Sequence, residues 1–130
     1  MIDVEVVGAE LLPSALAPAD VEGLCVRTAA HMGIEDGHVA VELVDAARIT
    51  RLNAAHRGLE EPTDVLSFPI DGVEPPRDGG APRELGDIVI CPEHTIDLRE
   101  AVVHGMLHLL GMDHETDDGE MLELQRELLL

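Results

Sequence analysis

Three histidines occur in one short apolar segment, and their spacing limits how that part of the chain can fold. His104 and His108 are four residues apart, so on a helix both imidazoles reach the same point. Gly111 can adopt the left-handed conformation that ends a helix, and the turn it makes lets His114 approach that point as well. We therefore expect three imidazoles to converge at the end of a helix.

A bound metal ion accounts for three imidazoles among aliphatic residues. Burying each imidazole without a partner costs about 1–3 kcal/mol, and a divalent cation removes that cost. Three protein ligands with one open position are typical of a catalytic zinc site, whereas a structural zinc needs a fourth ligand. No cysteine lies near the histidines in the sequence. The pattern predicts one catalytic metal ion per chain.

The same spacing, His-x-x-x-His-x-x-Gly-x-x-His, occurs in a large group of zinc peptidases. Those enzymes carry a glutamate directly after the first histidine, where it acts as the general base. Here that position is Gly105, which cannot accept a proton. The missing carboxylate argues against peptidase chemistry.

The charge balance restricts the partners of the chain. Aspartate and glutamate number 27, arginine accounts for all 8 basic residues, and the formal net charge is −19. Such a surface repels polyanions at long range, so a protein that coats nucleic acid is disfavoured. A substrate with phosphates needs a local positive charge, such as a metal ion or a single arginine. Adaptation of the surface to high salt is an alternative cause of the acidity.

Hydrophobic periodicity predicts one α+β domain over residues 1–130, in which helices cover a small mixed four-stranded sheet and one helix carries the peptidase-like metal motif. The predicted strands are Met1–Val7, His38–Val44, Val65–Ile70 and Leu85–Cys91. The predicted helices run from Pro18 to Gly33, from Ala46 to about His56, from about Glu93 to Leu110, and from Asp117 to the C-terminus. Asp71–Arg83, rich in proline and glycine, is predicted to be an exposed loop.

The chain is expected to remain in the cytoplasm. No apolar run approaches the roughly 18 residues of a membrane span, and the first residues do not have the pattern of a signal peptide. Cys25 and Cys91 are interpreted as buried thiols in a reducing compartment.

Three blocks of the sequence together resemble the YbeY family of rRNA maturation factors, which are zinc-binding endoribonucleases specific for single strands. The metal motif HGMLHLLGMDH is the first block. The other two are LNAAHRGLEEPTDVLSFP (Leu52–Pro69) and LGDIVICPE (Leu85–Glu93). The three blocks in this order are much more specific than the metal motif alone.

The resemblance implies the roles of particular residues. His104, His108 and His114 are the expected zinc ligands, and Arg57 and His114 are the expected catalytic residues. Zinc lowers the pKa of its bound water to about 7, and the planar guanidinium of Arg57 suits phosphate oxygens. The implied substrate is single-stranded RNA, in particular the 3′ end of the small-subunit rRNA precursor, and the implied partner is the small ribosomal subunit or its proteins.

Several neighbouring residues have two possible roles. Asp113 either orients a ligand imidazole or caps the turn. Thr63 and Ser67 either donate to phosphate or serve the structure, and Arg57 itself could instead pair with Glu60 or Glu61. Asp64 is expected to be a turn residue, and Asp87 is expected to bond to the backbone at the junction between a loop and its strand. His56 and His94 are expected to be solvated. No role is assigned to His31 or His38.

Two other functions stay open at this stage. The protein could be a metal-dependent hydrolase of another substrate, including a peptidase that takes its base from elsewhere. It could also be a ribosome-assembly factor whose metal only stabilises the fold.

Overall fold

The computed structural model of the protein describes residues 1–71 and 83–130. Four strands form one sheet in the order β1-β2-β4-β3. β1 is parallel to β2 and β2 to β4, while β3 runs antiparallel to β4 at the edge. The strands are β1 (Ile2–Val7), β2 (Gly37–Leu43), β3 (Val65–Pro69) and β4 (Glu84–Ile90). The predicted α+β class with a mixed four-stranded sheet is confirmed.

The helices that the structure describes are α1 (Pro18–His31), α2 (Ala46–Arg57), α3 (Leu98–Leu109) and α4 (Glu120–Leu128). The first two begin where the sequence predicts. Pro18 occupies the first turn of α1, where its missing N–H is not needed. The Asp45 side chain accepts a hydrogen bond of 2.8 Å from the Arg48 N–H and so caps α2. Among these helices none is long and apolar enough to cross a membrane.

The predicted starts of the last two helices were wrong. α3 begins at Leu98 rather than near Glu93, because the Asp97 carboxylate accepts from the Arg99 and Glu100 N–H groups and acts as the cap. A separate 3₁₀ turn occupies Pro92–His94. α4 begins at Glu120 rather than at Asp117.

The region before α4 explains the second error. The Asp117 carboxylate accepts from the N–H groups of Gly119 and Met121, so it holds a turn ahead of the helix. Glu120 accepts from the Asp118 N–H and does not reach back to Asp117 as a capping box requires.

The two faces of the sheet pack against different helices. Successive side chains of a strand point to opposite faces, and in β4 Ile88 and Ile90 belong to the larger apolar cluster, with residues of α1 and α3. Val89 belongs to a smaller cluster with Ile49 of α2. The edge strand β3 contacts both sides: its Leu66 belongs to the smaller cluster with Ile49, and its Ser67 hydroxyl donates to the Gly105 carbonyl of α3.

Both cysteines are buried and free, as predicted. Burial, together with the charge of Glu22, raises the pKa of the Cys25 thiol to about 12, so this side chain behaves as a small hydrophobe. The predicted loop Asp71–Arg83 lies outside the described residues except at its two ends.

Candidate metal centre

Helix α3 carries two of the three histidines on one side. Apolar residues on its other side belong to the core: Val103, Met106 and Leu107 are fully buried. His104 and His108 are half-buried, and their Nε2 atoms lie 3.1 Å apart. The two rings meet edge to face with centroids 4.7 Å apart. The spacing of four residues therefore has the effect that the sequence predicts.

The end of α3 brings the third histidine to the other two. Gly111 has a φ of +96°, a conformation that side-chain-bearing residues rarely adopt. Its N–H donates to the His108 carbonyl at 3.1 Å, and the Met112 N–H donates to the Leu107 carbonyl at 3.0 Å. This pair of bonds is a Schellman motif. It turns the chain so that the His114 ring centroid lies 5.1 Å from that of His104 and 5.3 Å from that of His108.

Hydrogen bonds at Nδ1 determine which nitrogens face the centre. His104 Nδ1 lies 2.8 Å from Gln125 Oε1, and His108 Nδ1 lies 3.0 Å from the Met112 carbonyl oxygen. Both partners are acceptors, so in the neutral rings the proton resides on Nδ1 and the lone pair on Nε2. Two lone pairs therefore face each other at 3.1 Å.

This arrangement fits a metal ion. Two nitrogens bound to one tetrahedral zinc at about 2.0–2.1 Å lie about 3.3 Å apart, close to the observed 3.1 Å. One ligand atom from each of His104, His108 and His114 lies within 4.8 Å of the others, and among the described residues this is the one His/Cys/Asp/Glu group with metal-binding geometry. The three side chains could hold a metal ion, and a bound cation would remove the repulsion between the facing lone pairs.

The electrostatics of His108 also favour metal binding. Burial lowers the pKa of His108, and the neighbouring His104 and His114 lower it further; the Met112 carbonyl and Asp113 oppose the shift. A lowered pKa keeps the imidazole neutral at pH 7, which is the form that binds metals.

Arg57 lines the same cavity as the three histidines. The cavity has a volume of about 600 Å³ and also reaches residues of the edge strand β3. Arg57 is in the last turn of α2 and is exposed. No carboxylate within residues 1–71 and 83–130 lies within 4.0 Å of its guanidinium, so the salt bridge with Glu60 or Glu61 does not form.

Gly105 faces the sheet and not the cavity. A Cβ added at this position would lie 2.6 Å from Cγ2 of Ile88 in β4. The Ser67 hydroxyl donates to the Gly105 carbonyl at 3.2 Å, so the neighbouring strand β3 also contacts α3 at this residue. A glutamate at position 105 has no room, so the absence of a peptidase-type base follows from the packing.

Most of the secondary candidates serve the local structure. The Asp113 carboxylate accepts from the Glu115 N–H at 2.9 Å, so of its two possible roles the turn cap is the one observed. The Thr63 hydroxyl lies 3.3 Å from the Asp64 carboxylate, which also accepts from the Val65 N–H at 2.8 Å. Thr63, Asp64 and Ser67 all line the cavity.

Of the other candidates, His56 and His94 are exposed as predicted, whereas Asp87 lies elsewhere than predicted. Asp87 lies in the middle of β4 and is exposed, not at a junction between loop and strand. The exposed His56 lines the cavity, with its ring centroid 4.6 Å from that of Phe68. His94 is exposed, and its Nε2 lies 3.7 Å from the Glu93 carboxylate.

Sequence reasoning assigned no role to two buried polar residues near the site. Gln125 contacts His104 and is 6% exposed, and Asn53 is 1% exposed and donates to the Glu61 carbonyl. The signal for Gln125 was present, because it occupies the buried face of α4 between Met121 and Leu128 at helical spacing.

Comparison with known proteins agrees with this geometry. The family model described as Endoribonuclease YbeY matches residues 18–130. A protein of Nitrobacter hamburgensis called Endoribonuclease YbeY is 43% identical over 122 residues, which cover 80% of this chain and 64% of that protein. One of Corynebacterium efficiens with the same name is 42% identical over 72% of this chain and 56% of its own length. The chain thus spans less than two thirds of these relatives.

A solved structure extends the comparison to the fold. The solution structure of a Thermotoga maritima protein superimposes with a TM-score of 0.58 at 29% identity and covers 99% of this chain and 87% of that one. The matched family model includes α3, the turn at Gly111 and all three histidines. This chain belongs to the YbeY family.

Proposed function

We propose that this protein is a zinc-dependent endoribonuclease that cuts single-stranded RNA with one metal ion per chain. The observation that carries the proposal is the convergence of three imidazole nitrogens within 4.8 Å in a cavity that also contains Arg57. The relatives named Endoribonuclease YbeY support the same reaction class.

His104, His108 and His114 are the proposed ligands. Imidazole also suits nickel, copper and iron, but three imidazole ligands without a fourth protein ligand are typical of catalytic zinc sites. Bound zinc would supply a water acidified to a pKa of about 7 and a Lewis acid for a phosphoryl oxygen. His114 is the ligand contributed by the turn, and it is proposed as catalytic because it would hold the ion in the cavity that Arg57 also lines.

Arg57 is the proposed phosphate-binding residue. Its guanidinium is permanently charged and presents a planar set of donors that matches two phosphate oxygens. Because it forms no ion pair with the described carboxylates, its donors are available to the substrate. It stabilises the negative charge that develops on the phosphate in the transition state.

A nuclease agrees better with the packing around α3 than a peptidase does. The residue after the first histidine lies against Ile88 and cannot supply a general base. Phosphodiester cleavage depends mainly on positioning and charge stabilisation, which the metal ligands and Arg57 provide.

The proposed biological substrate is the 3′ end of the small-subunit rRNA precursor, cut in the cytoplasm during ribosome maturation and quality control. A net charge of −19 opposes the approach of free RNA. We therefore propose that the small ribosomal subunit and its basic proteins bring the RNA to the site.

The test combines elemental analysis of the purified protein with cleavage assays on single-stranded RNA and on casein. We expect one zinc per chain and cleavage of RNA alone, which chelation abolishes and added zinc restores. Precursor rRNA within small-subunit particles is expected to be cut faster than the same RNA free in solution. Cleavage of casein would favour the peptidase, whereas lower thermal stability after chelation without cleavage of any substrate would favour the assembly factor.

A further inference from the structure

Gln125 connects the last helix to the metal centre. It is 6% exposed on the buried face of α4, and its Oε1 lies 2.8 Å from His104 Nδ1 across 21 residues of sequence. The corresponding partner of His108 is a backbone carbonyl, that of Met112. Within the part of the chain that the structure describes, Gln125 is thus the one side chain hydrogen-bonded to Nδ1 of a histidine of the centre.

The direction of this hydrogen bond decides whether His104 can bind a metal. The amide oxygen accepts, so the proton of the neutral ring stays on Nδ1 and the Nε2 lone pair is directed toward His108 Nε2, 3.1 Å away. Without an acceptor at Nδ1 the proton could move to Nε2, where it would block the ligand atom. The contact also fixes the rotation of a ring that is only half-buried.

The neutrality of Gln125 matters because of the charge of the chain. Carboxylates are common partners of metal-binding histidines, and they raise the basicity of the ligand. In a protein of net charge −19, one more carboxylate beside the centre would weaken its attraction for phosphate. An amide oxygen holds the ring without adding that charge.

We infer that Gln125 is a positioning residue of the metal centre, which holds the His104 Nε2 toward the ion while leaving the positive charge of the ion available to a phosphate. The inference rests on the proposed function, because it takes the three histidines as metal ligands. A purely structural role for Gln125 would involve packing of α4 on α3 and nothing else.

The first test needs neither metal nor a variant. Long-range proton–nitrogen NMR spectra of the metal-free protein at pH 8 report which nitrogen of each histidine ring carries the proton. We expect His104 in the Nδ1–H form. A His104 protonated on Nε2 would overturn the inference, because the lone pair would then face Gln125 and not the centre.

The second test measures zinc affinity by competition with a chelator. Gln125→Met keeps the size of the side chain and removes the acceptor, and we expect it to weaken zinc binding about 10- to 100-fold. Gln125→Glu keeps an acceptor and charges it, which we expect to tighten binding about fivefold. Glu127→Met, an exposed position on the same helix, is the control and should bind zinc like the unchanged protein.

The third test examines the role of the amide's neutrality, with inorganic phosphate as the probe. Zinc-loaded Gln125→Glu should bind phosphate about threefold more weakly than the unchanged protein. Equal zinc affinity of folded Gln125→Met and Glu127→Met, or equal phosphate affinity of Gln125→Glu and the unchanged protein, would overturn the inference.

These outcomes separate the inference from the proposed function. If the unchanged protein takes up no zinc, the proposed function fails, and the NMR spectra still decide the orientation of His104. If the unchanged protein binds zinc and Gln125→Met binds it with equal affinity, only the role of Gln125 fails. Should Gln125→Met not fold, the inference is still tested by the NMR spectra of His104 and by the phosphate affinity of Gln125→Glu.

Discussion

The cavity has two walls that are held in place in different ways. The histidine wall consists of His104 and His108, on a helix buried against the sheet, and of His114 in the turn after that helix. Hydrogen bonds at Nδ1 fix the rings of His104 and His108. The arginine wall, formed by His56, Arg57 and Thr63, consists of the exposed end of α2 and the loop that follows it. Asn53 ties that loop to α2 by donating to the Glu61 carbonyl.

This difference indicates a division of labour. Groups that are pre-organised in a buried frame suit a small ion with strict geometry. The exposed guanidinium of Arg57 forms no ion pair with a described carboxylate. Such a group suits a large, flexible anion that also makes contacts elsewhere on the protein. Metal binding should therefore depend on the histidine wall alone, and catalysis should depend on both walls.

Replacing a ligand is expected to have the largest effect. His108→Ala removes the imidazole whose Nε2 lies 3.1 Å from that of His104 and leaves two ligands, so zinc should fall from one per chain to none after dialysis. RNA cleavage should disappear with it. His94→Ala, at an exposed histidine outside the triad, is the control and should keep its zinc. Full zinc content in His108→Ala would show that the histidine wall does not hold the ion.

Replacing the arginine is expected to separate the two walls. Arg57→Ala should keep one zinc per chain and cut RNA about 10²- to 10³-fold more slowly, the usual cost of losing one charge-stabilising donor. Arg57→Lys keeps the charge without the planar donors, and we expect only partial recovery. The matched control is Arg51→Ala, an exposed arginine of the same helix that does not line the cavity. Loss of zinc from Arg57→Ala would contradict the division between the walls.

A pair of glycines tests how tightly the histidine wall packs on the sheet. In Gly105→Ala the new methyl group meets Ile88 Cγ2 at 2.6 Å. Overpacking of this kind costs about 1–3 kcal/mol, and alanine gains roughly 1 kcal/mol over glycine in a helix, so the expected net loss of stability is up to about 2 kcal/mol. Gly23 in α1 has no atom within 4 Å of an added Cβ, so Gly23→Ala should gain stability. Urea unfolding of the metal-free variants measures both, and a stabilised Gly105→Ala would contradict the close contact.

The histidine wall could be predicted largely from the sequence because its determinants are local. The spacing of His104 and His108, the glycine that ends α3 and the hydrogen bonds of the Schellman motif all lie within eleven consecutive residues. The order of strands and helices was likewise readable from periodicity. The start of α3 had a local signal too, since Asp97 and Glu100 have capping-box spacing.

Contacts between distant segments could not be predicted in this way. Gln125 reaches His104 only because α4 packs on α3, and Gly105 approaches Ile88 only because α3 lies against β4. The helical spacing of Gln125 with Met121 and Leu128 indicates that its side chain is buried, but neither this spacing nor the sequence around Gly105 indicates which distant residue is contacted. That Arg57 shares a cavity with the histidines was inferred from the family resemblance, since no spacing rule relates the end of α2 to α3.

The contributions of His38, on the sheet surface, and of His108, in the histidine wall, to folding stability should change with pH in opposite directions. His38 on β2 lies 2.9 Å from the Glu84 carboxylate. That hydrogen bond and the charges of Glu84, Asp3 and Glu5 raise the pKa of His38 against a smaller opposing effect of burial. Its contribution to stability is therefore present in full below about pH 6.5 and is lost as the pH rises through the higher value in the folded state. An exposed pair of this type contributes about 0.2–1 kcal/mol.

For His108 the sign is reversed, because burial and the two neighbouring imidazoles lower its pKa. Its contribution is present above about pH 6.5 and is lost as the pH falls through the lower value in the folded state. Urea unfolding of the metal-free protein, His38→Gln and His108→Gln at pH 5.5 and pH 8 measures both. We expect His38→Gln to lose more stability at pH 5.5 and His108→Gln to lose more at pH 8. The same sign for both variants would mean that the histidine wall is solvated like the open surface of the sheet, and its pre-organisation for a cation would then be refuted.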